Sequence, residues 1–314
     1  MSHLVLTADD AVPASSDVDD AVADVAARVN ALYAAEALDD DVAWRVSVED
    51  SIELDLSRDT LTYGEISVSG LARALRAALD LAGPEGTRGQ EVFYDLGCGR
   101  GVATLAAAAL AEHALPRGAL ARCVGIELLP SLVECGRRAE SRRARLAGAL
   151  FQPTRVAPRP DKYSREIVRL PCARDAAPPE LTPDVAAKGR GAAAPVVEFW
   201  CDDLLEAEWW EDATVVYACA TRFEPILAPL ADRLRRMRVG ARAIVSSHEL
   251  ANSGEAFDED DARPVSPSVD RDAAESSRRV LEEVWSEVLE YSWGRELTRV
   301  YRIAPASAIA ASPN

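Results

Sequence analysis

The chain has 314 residues, 48% of them hydrophobic, enough to bury one large core and still carry extensions. Its 35 basic and 52 acidic side chains leave a net charge of −17, which argues against direct nucleic-acid binding because affinity for phosphates rests on Lys and Arg. No run reaches the length of a membrane span and no secretion signal precedes Asp9-Asp10, so the expected protein is soluble and intracellular, cytoplasmic or nuclear, with no membrane partner.

In chain order, residues 1–60 read as an N-terminal extension with one amphipathic helix, Val18 to Ala37. Residues 61–305 read as one catalytic domain, and 306–314 as a disordered tail. Leu71 to Leu81 is a helix leading into an apolar strand, Glu91 to Leu96, which carries Asp95 near its end. Gly97, Gly99 and Gly101 follow, and then an alanine-rich helix from Val102 to Ala111. Glycines at a strand-helix turn allow positive φ and let a ligand lie on bare peptide, facing the unpaired N–H groups of the helix start. A dinucleotide fingerprint would need a small residue where Val102 stands, so NAD fits poorly. S-adenosylmethionine, cationic and without a pyrophosphate, is better served by an acid before the glycines.

A second strand, Ala121 to Ile126, ends in Glu127, where a ribose diol would lie, and Pro130 starts the next helix. A segment at about 152–195 with eight prolines and no sustained period reads as an insertion. A third strand, Val196 to Cys201, ends in Asp202 and Asp203, acceptors suited to an adenine amino group. A fourth, Ala213 to Cys219, is a continuous apolar run of the kind buried on both faces of a parallel sheet. A second insertion, at about 251–277, contains Asp258-Glu259-Asp260-Asp261. Val284 to Trp293 and Leu297 to Ile303 read as a hairpin turning at Gly294 and Arg295. The expected fold is α/β: a Rossmann-like seven-stranded sheet, mostly parallel with an antiparallel C-terminal hairpin and helices on both faces.

Cys98, Cys123, Cys135, Cys172, Cys201 and Cys219 show no metal spacing and read as reduced core residues, so no metal is expected. The basic clusters Arg137-Arg138, Arg142-Arg143-Ala144-Arg145 and Arg233 to Arg238 read as solvated helix faces, and His248 as a loop residue rather than a base.

With these motifs the chain resembles the class I S-adenosylmethionine-dependent methyltransferases. It looks most like the disruptor-of-telomeric-silencing (Dot-one-like) family of histone lysine methyltransferases. The resemblance is carried by Tyr63-Gly64-Glu65, Asp95 to Gly101, Val124-Gly125-Ile126-Glu127, Asp203 ahead of Trp209, Val215-Val216-Tyr217, Phe223-Glu224-Pro225, Gly240 with Ile244 to Ser247, and Ser292-Trp293 before Tyr301. It implies that Asp95, Gly97, Gly99 and Gly101 hold the methionine end of S-adenosylmethionine, Glu127 the ribose and Asp203, beside Asp202, the adenine. Tyr63 to Glu65 would close over the cofactor. It further implies lysine N-methylation of a protein, possibly a basic one, with a small metabolite or a catalytically inactive binding module as the alternatives. The residues expected to line the acceptor channel are Tyr63, Cys219, Phe223 and Tyr301, with Tyr217 and Trp293 as further candidates. Two positions depart from the family pattern: Cys219 replaces an asparagine and Ile66 a threonine.

Overall fold

The computed structural model describes residues 15–35, 40–55, 64–80, 91–116, 118–146, 194–221, 223–250 and 279–306. A seven-stranded sheet is built from β1 (Glu91–Leu96), β2 (Leu120–Glu127), β3 (Val196–Cys201), β4 (Val215–Ala218), β5 (Arg242–Ser246), β6 (Arg279–Tyr291) and β7 (Gly294–Pro305). The strand order is β3-β2-β1-β4-β5-β7-β6. The first five strands pair in parallel, and β7 lies antiparallel between β5 and β6. The order reverses between β1 and β4, which opens a crevice at the carboxyl ends of the strands. This is the sheet expected from the sequence.

Alternation along the strands explains their apolar runs. Phe93, Cys123 and Val197 face one layer while Tyr94, Val124 and Ile126 face the other, so both sides are covered. The first layer holds α1 (Ser15–Ala35), α2 (Asp40–Glu53), α3 (Val68–Asp80), α4 (Val102–His113) and α5 (Pro130–Leu146). The second is built on α6 (Leu227–Arg236) and the buried Trp209. No helix among the described residues is long and apolar enough to cross a membrane.

Gly125 of β2 shows how tightly the first layer fits. A Cβ there would stand 2.7 Å from Cys98 Sγ, 2.8 Å from Thr104 Oγ1 and 2.9 Å from Phe199 Cδ1. Gly125→Ala should therefore destabilise the fold by about 1–3 kcal/mol, read as a lowered midpoint in denaturant. An unchanged midpoint would show that this layer has room to spare.

The extension carries two helices where the sequence reading expects one. Both are anchored to the rest of the fold. Tyr33 of α1 donates its hydroxyl to the Arg100 carbonyl at 2.9 Å, with the Arg100 guanidinium over its ring. Asp50 of α2, buried, accepts from both the backbone N and the Oγ of Ser131 at 2.8 Å, which caps the open N-terminus of α5 behind Pro130. The hairpin also turns two residues earlier than expected, at Ser292-Trp293, because Gly294 and Arg295 already pair with Tyr291 and Glu290. The insertions expected at about 152–195 and 251–277 and the expected tail fall almost wholly outside the described residues. The five described cysteines are free thiols.

Candidate active site

The carboxyl ends of β1, β2, β3 and β4 converge on a cavity of about 260 Å³. Gly97, Gly99, Glu127, Asp202, Asp203, Cys219 and Phe223 line it, with Ser47 and Gly64 from earlier in the chain. The turn after β1 takes φ of 72° at Gly97, 57° at Gly99 and 88° at Gly101, the left-handed region that a side chain disfavours. Gly97 presents bare peptide under the Phe223 ring, and Gly101 caps α4 with the Phe199 ring pressed against it.

Glu127 is the keystone of this turn. Its Oε2 accepts from the Gly99 backbone N at 2.9 Å and its Oε1 from the Leu129 backbone N at 3.0 Å. The carboxylate is thereby fixed at the cavity wall, and burial raises its pKa against these two hydrogen bonds. Asp203 folds the segment after β3 by accepting from the Leu205 N at 2.8 Å, and Trp209, fully buried, holds that loop by donating Nε1 to the Leu204 carbonyl at 2.7 Å. The spacing of Asp203 and Trp209 is thus a loop anchored at both ends.

Asp95 is placed differently from the sequence reading. It is buried beneath the turn, is not among the lining residues, and accepts from Thr104 Oγ1 at 2.8 Å. Burial is the main reason its pKa is pushed up to about 7, opposed by Thr104 and assisted by the nearby charges of Glu127 and Glu65. Glu65 also stands outside the lining residues, in a two-pronged ion pair with Arg100 at 2.7 and 2.9 Å.

The expected channel residues separate. Cys219 and Phe223 line the cavity. Burial raises the Cys219 pKa, which favours the neutral thiol. Tyr301 is not among the lining residues: β7 pairs it with Ala243 near the amino end of β5, away from the carboxyl ends of the parallel strands, and its hydroxyl accepts from the Leu250 N at 3.1 Å. Tyr63 lies outside the described residues, but its neighbours are informative. Ser292 N donates to the Glu65 carbonyl at 2.8 Å, Ser292 Oγ accepts from Glu65 N at 3.1 Å, and Ile66 bridges Tyr291. The segment at Gly64-Glu65 and the hairpin turn therefore form one unit at the mouth of the cavity.

Sequence reasoning missed Ser47, Thr104 and the buried hydroxyls of Ser246 and Tyr291, while Tyr217, expected in the channel, is buried and is not among the lining residues. Only Thr104 left a trace, as the polar residue in an alanine-rich helix. The basic clusters are largely satisfied within the fold: Arg143 pairs with Glu112 and Glu140, Arg138 with Glu134, and Arg233 and Arg236 lie over Trp210. His248 does not line the cavity.

No protein-family model and no curated protein matches this sequence. Among solved structures, the chain is similar to the rRNA methyltransferase aviRa from Streptomyces viridochromogenes, at 14% identity over 84% of this chain and 96% of that one, with a TM-score of 0.40. It is similar to TrmN from Thermus thermophilus at 13% identity and a TM-score of 0.37, covering 74% of this chain but only 48%, about half, of that one. A third is the plantazolicin methyltransferase BpumL in complex with SAH, at 11% identity, 73% and 61% coverage and a TM-score of 0.33. These likenesses accord with the methyltransferase fold and lend no support to the disruptor-of-telomeric-silencing family or to lysine as acceptor. They also correct one expectation. Structures titled as tRNA and rRNA methyltransferases stand among the matches, so net charge alone does not set nucleic acid aside as a partner of this fold.

Proposed function

We propose that this chain is a methyltransferase that uses S-adenosylmethionine. The observation that carries the reading is the convergence in one cavity of a bare glycine turn from β1 with acids from the ends of β2 and β3, Glu127, Asp202 and Asp203. The residues fit the donor. Gly97 and Gly99 offer backbone to the methionine end, Glu127 offers its carboxylate to the ribose hydroxyls, and Asp203 lies beside Leu128, Leu129 and Leu204, apolar walls for an adenine. When bound, S-adenosylmethionine supplies an electrophilic methyl group on a sulfonium.

The chain's own contribution is alignment and exclusion of water, which is what an in-line displacement needs. Phe223, Leu132 and Ile226 make the cavity apolar where the acids do not reach. No side chain in the wall has to form a covalent bond, in keeping with the neutral thiol of Cys219. A lysine acceptor draws only on Gly64-Glu65 and Ser292-Trp293, whose contacts support their acting together without specifying the acceptor.

Incubation with methyl-labelled donor and cell extract should put label into a macromolecular or small-molecule fraction, and nuclease or protease treatment then names the class. Binding of S-adenosylhomocysteine with no label in any fraction would make the chain an inactive cofactor-binding module.

A further inference from the structure

We propose that Trp293 and Glu296 form a recognition subsite for the methyl acceptor and that its ligand is a flat, uncharged, amino-bearing heteroaromatic ring, a nucleobase. The proposal rests on the methyltransferase reading of the adjoining cavity.

The hairpin turn lays the Trp293 ring directly on Gly64, where a Cβ would stand 1.8 Å from Cζ3. Gly64 itself lines the cofactor cavity, so the indole stands at its mouth. Tyr291 backs the ring at 4.9 Å between centroids and 39° of tilt, yet the residue keeps 38% of its surface exposed. The result is an aromatic ring held by Gly64 and Tyr291 and still partly exposed to solvent.

Beside it is a fixed carboxylate. Trp293 Nε1 donates to Glu296 Oε1 at 3.1 Å, and Ser247 Oγ donates to Oε2 at 3.1 Å. An indole N–H lies in the plane of its ring, so Glu296 sits at the platform's edge with acceptor capacity left on each oxygen. Ser247 holds its place with φ of 69°, a conformation that costs a serine and that tends to occur where function over-determines the backbone. Because the Ser247 proton is committed to Glu296, Thr221, 2.9 Å away, donates to Ser247 and keeps a lone pair on the side of Cys219 in the cavity wall. Acceptors thus run from the platform's edge to the cavity.

A platform selects a planar ring, since every base offers a π-face, and a carboxylate at its edge selects a ring bearing an amino donor, as in carboxylate recognition of the cytosine amino group. An alkylammonium would also satisfy Glu296. The same carboxylate would hold it charged, however, and a charged amine has no lone pair to offer the methyl group. The amino group of a base is neutral from the start.

The test titrates the protein, saturated with S-adenosylhomocysteine, in a calorimeter with CMP, AMP, GMP, UMP, a single-stranded RNA pentanucleotide and n-butylammonium. Amino-bearing nucleotides should bind, and UMP, whose ring donor is flanked by carbonyls, about fivefold or more weakly. Trp293→Ala should weaken CMP binding roughly 5- to 150-fold while Trp293→Phe keeps most of it, and Glu296→Ala should erase the preference for CMP over UMP. All three variants should bind S-adenosylhomocysteine as the native chain does. Tighter binding of the RNA assigns the ring to a polymer, and equal binding to a free nucleotide. Binding of n-butylammonium without any nucleotide overturns the ligand class, and nucleotide binding indifferent to Trp293→Ala overturns the subsite. Failure of the native chain to bind S-adenosylhomocysteine overturns the cofactor reading, and the subsite with it.

Discussion

Glu127→Ala should weaken S-adenosylhomocysteine binding by roughly 10- to 150-fold, because a hydrogen bond to a charged group contributes about 1.5–3 kcal/mol. The same change should also lower stability, since the Gly99 and Leu129 N–H groups lose the oxygens that hold them. Each such orphan costs about 1–3 kcal/mol when it stays buried. The two effects can be separated with Glu127→Gln, whose carbonyl oxygen can still serve one of the N–H groups while the charge is gone. Calorimetry on both variants decides the matter. An affinity equal to that of the native chain would mean that the carboxylate merely braces the turn and that the ribose lies elsewhere.

The pH dependence of donor binding should be steep on the acid side. Burial raises the Asp95 pKa from 3.8 to about 7, so in the empty protein the carboxyl is protonated through most of the mildly acid range. Its raised pKa means that the folded chain binds more protons than the unfolded one between pH 4 and 7. Stability of the empty protein therefore falls as pH rises through that window, by up to roughly 4 kcal/mol, and levels off above it. A cationic ligand reverses the preference. S-adenosylmethionine carries both an ammonium and a sulfonium, favours the ionised form of Asp95, and should bind more tightly as pH rises from 5 to 7, by up to about tenfold per unit, and then reach a plateau. S-adenosylhomocysteine, without the sulfonium charge, should show a shallower slope. Asp95→Asn should flatten both curves. Parallel, flat curves for the two ligands in the native chain would show that the Asp95 charge does not reach the pocket.

The core of the site was legible because it is written in local pattern. A buried parallel strand, three glycines and a helix start occupy Glu91 to Ala111 without interruption, and the structure places them there. The ends of β2 and β3 were legible for the same reason. What depends on distant contacts was not. Asp95 and Glu127 look alike in sequence, yet Thr104 reaches Asp95 from above the sheet and seals it away, while Glu127 is turned to the wall by two backbone N–H groups. Tyr301 was placed by proximity to Ser292-Trp293 in the motif, and the antiparallel register of β7 carries it to Ala243, near the amino end of β5. α2 went unseen because its apolar residues do not gather into a stripe, and its place is set by the buried Ala43 and Val46 together with the polar anchor at Asp50.

That anchor bears on what the leading segment contributes. Asp50 clamps α2 to the start of α5, and three residues earlier Ser47 lies in the cavity wall. A shortened chain starting at residue 61 would look whole by motif, yet it would lack part of its own binding floor and expose the uncapped helix behind it. The leading segment is a component of the pocket, and donor affinity and the ordering of the first two helices should rise and fall together.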